Sequence, residues 1–108
     1  MALDVVRRFR QGAVALHILH HAEESDVHGA WLTVELARHG HRLSPGTLYP
    51  LLHRLEDEGL LAGHDEVVDG RVLRRYRATT QGRQALAELR HVVAELAGEV
   101  GASERRTP

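Results

Sequence analysis

The sequence predicts a mainly α fold of the α+β class, with three helices, one β-hairpin and a long final helix, in that order. Apolar residues recur at spacings of three and four in four segments, which is the period of an amphipathic helix. Between the third and fourth segments, Asp69-Gly70 stands between Val67-Val68 and Val72-Leu73, and this is the strongest hairpin signal in the chain. A length of 108 residues suits one domain with one hydrophobic core.

The first two helices are expected at residues 4–22 and at about residues 28–39. Asp26 is the expected N-cap of the second helix, and Gly40 is expected to end it. The first helix is apolar on more than one side, which predicts that more than one surface covers it. Its apolar residues are Val6, Phe9, Ala13, Val14, Leu16, Ile18 and Leu19.

The third helix is expected over residues 44–58. Ser44 is a good N-cap, and Pro45 suits the first helical position because its missing N–H would be unpaired there anyway. Gly59 is expected to end the helix. The apolar stripe consists of Leu48, Leu51, Leu52 and Leu55. The opposite face of this helix is therefore expected to be exposed.

Two strands, at about residues 61–68 and 71–78, are predicted around the Asp69-Gly70 turn, and Thr79 or Thr80 is expected to cap a final helix. The apolar residues of that helix follow a heptad spacing over about two heptads, fewer than a coiled coil needs to be established from sequence. This order of elements is that of a winged helix-turn-helix with an added dimerisation helix. We therefore divide the chain into a DNA-binding domain (1–79), a dimerisation helix (80–100) and a flexible tail (101–108).

The composition excludes several classes of protein. The chain has no cysteine, which argues against a disulfide scaffold, a thiolate metal site and a cysteine nucleophile. No apolar run approaches the roughly 20 residues of a membrane span, so a cytoplasmic protein without membrane contact is expected. The net charge is −1, but the 14 basic residues are all arginine and five of them fall within thirteen residues free of acid. These five are Arg71, Arg74, Arg75, Arg77 and Arg83.

Several short motifs carry a family resemblance that covers about residues 10 to 100. They are His28-Gly29, Ser44-Pro45-Gly46-Thr47-Leu48-Tyr49-Pro50-Leu51-Leu52, Arg54-Leu55-Glu56, Gly59-Leu60, Gly70-Arg71, Tyr76, Thr79 and Gly82. With them the chain resembles the PadR family of transcriptional regulators, and specifically its short subfamily with a single C-terminal helix. Ala30-Trp31 stands where the family usually carries Tyr-Glu, Val72-Leu73 where Pro-Arg is common, and Arg75 where an aromatic residue is common.

The resemblance implies that the third helix enters the major groove of double-stranded DNA and that the hairpin, the wing of the fold, contacts the backbone or the minor groove. Free N–H groups at a helix N-terminus and small residues nearby favour the same arrangement. The expected DNA-binding residues are Ser44, Gly46, Thr47, Tyr49, His53, Arg54, Arg71 and Arg74. Three alternatives stay open: Ser44 only caps the helix, Tyr49 only packs, and Arg54 pairs with Glu58.

A homodimer is expected because the first and last helices carry more apolar surface than one small domain covers. The expected interface residues are Phe9, Leu16, Leu86, Leu89, Val93, Leu96 and Val100. Tyr76 is expected in the core. Trp31 is also expected there, because the final helix carries no aromatic residue to complete a stacking slot for a flat effector.

The nine histidines form the remaining candidate site. His17 and His21 lie four residues apart on the first helix and can share a divalent metal, with Glu24 or a residue of a partner subunit as third ligand. The alternative is that these histidines are surface or partly buried residues without a ligand. No cofactor is required, and a metal ion or a small molecule is a candidate effector.

The function these observations favour is that of a homodimeric DNA-binding transcriptional regulator, acting as an effector-responsive repressor. The alternative from another class is a winged-helix module that binds only protein. An enzyme is not expected, because no nucleophile with a base, no paired catalytic carboxylates and no phosphate loop are found.

Overall fold

The computed structural model describes residues 3–101 and confirms the predicted α+β architecture. The elements, in chain order, are α1 (Asp4–Glu24), β1 (Val27–His28), α2 (Gly29–Arg38), α3 (Pro45–Asp57), β2 (Leu61–Val68), β3 (Arg71–Ala78) and α4 (Thr80–Leu96). A π-helical turn, Ala97–Gly101, continues α4. The predicted tail lies outside the described residues except for Gly101, which is part of this turn. No helix among residues 3–101 has the length and apolar character to span a membrane.

The three strands form one antiparallel sheet in the order β1-β3-β2. The bounds of β2 and β3 are those expected, and Asp69 and Gly70 both have positive φ, 51° and 75°. Positive φ at both central residues is typical of the type I′ turn, which matches the twist of a hairpin. Strand β1 was not predicted, because two residues are too short to show a period of two.

The helix caps agree with expectation at α4 and differ at α2. The Thr79 hydroxyl accepts a hydrogen bond from the Gly82 N–H at 2.9 Å, as predicted for an N-cap. Asp26 does not cap α2, because β1 intervenes and places His28 at the N-cap position, where its Nδ1 accepts from the Trp31 N–H at 3.3 Å. The Asp26 carboxylate instead accepts a hydrogen bond from Arg77 at 3.1 Å.

The hydrophobic core joins all four helices to the sheet. It consists of Val14, Ile18, Leu19, Ala22, Val27, Leu32, Leu36, Leu48, Leu52, Leu55, Leu61, Tyr76, Ala78 and Leu86. The expectation for Tyr76 is therefore confirmed. The expectation for Trp31 is wrong, since the side chain is 42% exposed and meets the His21 ring edge-on. The domain boundary at residue 79 stays a prediction, although Leu86 of α4 lies in the same core as α1–α3.

Candidate nucleic-acid interface

Helix α3 separates an apolar face from a polar one. Leu48, Leu52 and Leu55 are buried against the rest of the chain. All six predicted DNA-binding residues of the helix and its N-cap are exposed, at positions before and between these leucines. These six are Ser44, Gly46, Thr47, Tyr49, His53 and Arg54. The arrangement presents hydroxyl, imidazole and guanidinium groups to solvent along one side of a single helix.

The first turn of α3 is open to solvent. Ser44 occupies the N-cap position, but its hydroxyl lies 3.3 Å from the Thr47 hydroxyl and makes no capping bond to a backbone N–H. The capping role proposed for the Ser44 side chain is therefore wrong. At Gly46 an added Cβ would meet only the Ser44 hydroxyl oxygen, at 3.8 Å, within the part of the chain described. Nothing in the fold itself thus requires a glycine at this position.

Tyr49 is both packed against α2 and partly exposed to solvent. One side of its ring lies against Gly29, the first residue of α2, so closely that a Cβ at position 29 would overlap the ring. The other side leaves the residue 41% exposed. Tyr49 therefore fixes α3 relative to α2 and still presents part of its ring to the exposed face of α3.

A cleft of about 580 Å³ borders the start of α3, and its lining includes arginines from three segments of the chain. Arg10 comes from α1, Arg42 from the turn after α2, and Arg54 from α3 itself. Among the described residues, no carboxylate lies within ion-pairing distance of these three arginines, whereas Arg7 at the rim is paired with Asp4 at 2.6 Å. The alternative pairing of Arg54 with Glu58 is thus absent from this part of the chain. Arg10 and Arg42 were not among the residues predicted to bind DNA. The sequence pointed to Arg42 only through its position two residues before Ser44, and nothing in it pointed to Arg10.

The hairpin arginines are arranged differently. The Arg74 guanidinium donates to Glu56 at 2.6 Å and to Asp65 at 2.9 Å, and it lies over the Tyr76 ring. The hydrogen bonds to Asp65 and then to Glu56 raise the pKa of Arg74. Arg74 was expected to reach phosphate, and its two carboxylate partners argue against that role because they already neutralise its charge.

Two further arginines of the basic run are also paired, Arg75 with Glu66 at 2.6 Å and Arg77 with Asp26 at 3.1 Å. Arg83 donates to the Ala78 carbonyl at 3.3 Å. Arg71, beside the turn, is exposed and has no carboxylate partner among the described residues. Of the five arginines that suggested a cationic wing, Arg71 alone combines exposure with freedom from such protein contacts within residues 3–101.

Six of the seven expected interface residues line one apolar groove of about 610 Å³ between α1 and α4. They are Phe9, Leu16, Leu89, Val93, Leu96 and Val100. Phe9 is 66% exposed, so a large apolar side chain at this groove faces solvent in the single chain. Leu86 is not among them, because it is fully buried in the core of its own chain and is not available to a partner.

The predicted metal pair, His17 and His21, lies in a larger group of aromatic rings. The His17 ring contacts those of His39 and His41, with centroids 5.1 Å and 5.3 Å away, and its Nδ1 is buried without a hydrogen-bond partner among the described residues. Burial, followed by the nearby histidines, lowers the pKa of His17. Among residues 3–101, His17 does not belong to a group with metal-binding spacing. The residues that do form such a group are His20, His21 and Glu24.

Comparison with known proteins agrees with this geometry. Residues 18–88 match the Transcriptional regulator PadR-like family. The chain is 60% identical over 102 residues to Transcriptional regulator Rv3488 of Mycobacterium tuberculosis, covering 94% of this chain and 95% of that one. Two solved structures are also similar. A PadR family transcriptional regulator from Eggerthella lenta has 30% identity and a TM-score of 0.80, with 98% and 94% of the two chains covered. A PadR-like transcriptional regulator from Bacillus cereus has 25% identity and a TM-score of 0.82, with 93% and 99% covered.

The two solved structures share the fold found here, and all three relatives are described as transcriptional regulators and not as enzymes. The family match covers most of the core and all of α2, α3 and the hairpin. The chain therefore belongs to the PadR-like family of transcriptional regulators.

Proposed function

We propose that the protein is a homodimeric DNA-binding repressor that reads its operator with the exposed face of α3. The observation that carries this proposal is that α3 has one buried apolar face and one exposed polar face. The leucines of α3 are buried, while the polar residues of its first turn project outward next to three arginines that no described carboxylate neutralises. PadR regulators bind DNA, and a helix with a free cationic border suits the major groove.

The proposed contacts divide into readout and positioning. Thr47 and Tyr49 lie where α3 meets base edges and the adjoining backbone, so they contribute sequence readout. Arg42 and Arg54 flank the same turn and contact phosphate, as does Arg71 from the tip of the hairpin. Gly46 supports a close approach of the helix backbone to DNA, because it adds no side chain at the point of contact.

The second copy of the chain is proposed to cover the groove between α1 and α4. An exposed apolar surface of this kind is typical of an interface in a small soluble protein. A two-fold dimer presents two α3 helices to two half-sites, which lie about 34–36 Å apart when they are one helical turn of DNA apart. The operator is therefore expected to be a near-palindrome.

Replacing both Leu89 and Val93 by Asp tests this dimer. Each change buries an unpaired charge if the groove is covered, so sedimentation is expected to find monomeric or unfolded chain. Val34→Asp is the matched control, since Val34 is 63% exposed on α2 and outside the groove. A wild-type protein that sediments as a folded monomer at micromolar concentration contradicts the proposal.

Repression and its release are proposed to follow from the angle between the two α3 helices. An effector that binds one arrangement of the dimer better than another shifts the population toward it by its difference in affinity. A small molecule or a divalent metal ion is the proposed effector, and the cytoplasm, where bacterial DNA lies, is the proposed location. A reporter gene under the native promoter tests the sign of regulation: deletion of the protein is expected to raise expression.

A module that binds only protein is the second candidate function. The pairing of Arg74, Arg75 and Arg77 with carboxylates favours it, because these residues leave the hairpin less cationic than its sequence suggests. A gel shift on the DNA upstream of the protein's own gene separates the two. If the protein shifts that DNA at a lower concentration than it shifts a shuffled sequence of equal length, the repressor is supported. If it shifts neither DNA, or both at the same concentration, the protein-binding module is favoured.

A further inference from the structure

We propose that His20, His21 and Glu24 of α1 form a binding site for a divalent transition metal, and that binding there releases Arg90 of α4. One potential ligand atom from each of the three residues lies within 4.8 Å of the other two. Ligands of a tetrahedral zinc lie roughly 3–3.5 Å apart, given bonds of about 2.0–2.2 Å. Small side-chain rotations therefore bring the three atoms onto one ion.

The chemical class of the ion follows from the donors. Two imidazole nitrogens and one carboxylate oxygen form the set of three protein ligands that zinc accepts together with water. Imidazole donors also suit nickel and copper, whereas magnesium and calcium prefer oxygen alone. The proposed occupant is thus a zinc-like ion that keeps at least one position for water or a further ligand.

His21 is already oriented by its surroundings. Its Nε2 lies 3.4 Å from a Glu35 carboxylate oxygen, and its ring meets Trp31 edge-on. A carboxylate that holds one ring nitrogen of a histidine is the usual support of a metal ligand, because it fixes the orientation of the ring. Nδ1 is then the nitrogen of His21 that takes the metal.

His20 links the site to α4. Its Nδ1 lies 2.9 Å from Nη2 of Arg90, and Nη1 of the same guanidinium donates to Glu23 at 3.4 Å. Arginine is only a donor, so Nδ1 of His20 accepts and the ring carries its proton on Nε2. A metal on Nδ1 displaces Arg90 directly. A metal on Nε2 moves the proton to Nδ1, which can then no longer accept from Arg90.

Metal binding and the hydrogen bond from Arg90 to His20 therefore exclude each other, whichever nitrogen is used. Arg90 lies on the helix whose later residues Val93 and Leu96 line the apolar groove. Loss of this link weakens the attachment of α4 to α1 next to that groove. If the chain is the dimer proposed above, the metal acts on the position of its dimerisation helix.

Titration calorimetry with zinc on metal-stripped protein tests the site without DNA. Wild type is expected to bind one ion per chain, and the double change His20→Ala and Glu24→Gln is expected to weaken binding at least tenfold. His91→Ala is the matched control, because it removes an exposed histidine of α4 outside the site, and it is expected to leave the curve unchanged. His17→Ala is also expected to leave it unchanged.

Arg90→Ala makes the test independent of any damage to the site residues. The substitution removes the competing donor and a nearby positive charge, so zinc is expected to bind more tightly than to wild type. Equal curves for wild type and the double variant, or unchanged or weaker binding by Arg90→Ala, overturn the proposal. DNA binding measured with a chelator present is a separate readout, so failure of the metal site is distinguishable from failure of the proposed repressor.

Discussion

The arginines beside α3 and the arginines of the β2–β3 hairpin carry the same charge but lie in opposite electrostatic surroundings. Arg10, Arg42 and Arg54 line a cleft, and no described carboxylate lies within ion-pairing range of them. In the hairpin, by contrast, Arg74 forms ion pairs with two carboxylates, those of Glu56 and Asp65. Phosphate binding releases counterions only where a positive charge is available for it. The scattered arginines are therefore the better phosphate contacts, although the clustered ones dominate the sequence.

The largest effect is expected from Thr47→Ala. Thr47 lies on the exposed first turn of α3, where loss of a base contact costs on the order of 1–3 kcal/mol. Affinity for the operator is expected to fall by that amount while affinity for random DNA stays nearly constant. Fluorescence anisotropy with both DNAs measures the difference. An equal loss on both would assign Thr47 to the backbone and remove it from readout.

The double change Arg42→Ala and Arg54→Ala is expected to act on all sequences alike. If each residue contacts one phosphate, the slope of log affinity against log salt falls in magnitude by about 1.8, at about 0.9 per contact. Binding measured between low and moderate salt gives this slope. Arg38→Ala is the matched control, because Arg38 is exposed but already paired with Glu35. A slope equal to that of wild type would exclude the cleft from the interface.

Arg71→Ala is expected to lower the same slope by about 0.9, half as much, because it removes one phosphate contact. The loss of affinity is expected to be equal for operator and random DNA. The anisotropy titration used for Thr47 provides this comparison directly. A loss confined to the operator would instead show that Arg71 reads the width of the minor groove in a sequence-dependent way.

The smallest effect is expected from Arg74→Ala, which leaves the salt slope unchanged because the Arg74 charge is already neutralised within the chain. The reverse experiment sharpens the comparison. Glu56→Gln with Asp65→Asn removes both partners of Arg74 and is expected to raise the slope by up to about 0.9. A clear loss of slope in Arg74→Ala would mean that DNA takes this guanidinium away from its carboxylates.

Local signals in the sequence predicted most of the fold. The Asp69-Gly70 turn determined both strands to the residue, since the type I′ turn sets the register of its hairpin. That register also places Asp65 opposite Arg74. The ion pair that neutralises the Arg74 charge could therefore have been predicted from the sequence. Residues near each other in a hairpin are thus predictable from the turn alone.

Contacts between distant segments were not predictable in the same way. Arg77 contacts Asp26 and Arg90 contacts His20, although these partners are 51 and 70 residues apart in sequence. No periodicity in the sequence predicts either pair. Leu86 follows the heptad spacing of the interface residues but is buried in its own chain, because the first turns of α4 pack on the core. A period identifies an apolar face without specifying which surface covers it.

The most direct test of the central claim is operator binding by Thr47→Ala and Arg71→Ala in fluorescence anisotropy at about 100 mM salt, where phosphate contacts are still strongly felt. We expect both variants to bind the operator more weakly than wild type, with the loss specific to the operator for Thr47→Ala and general for Arg71→Ala. Operator affinity equal to that of wild type in both variants would contradict the docking of α3 and the hairpin on DNA, and would favour a module that binds only protein.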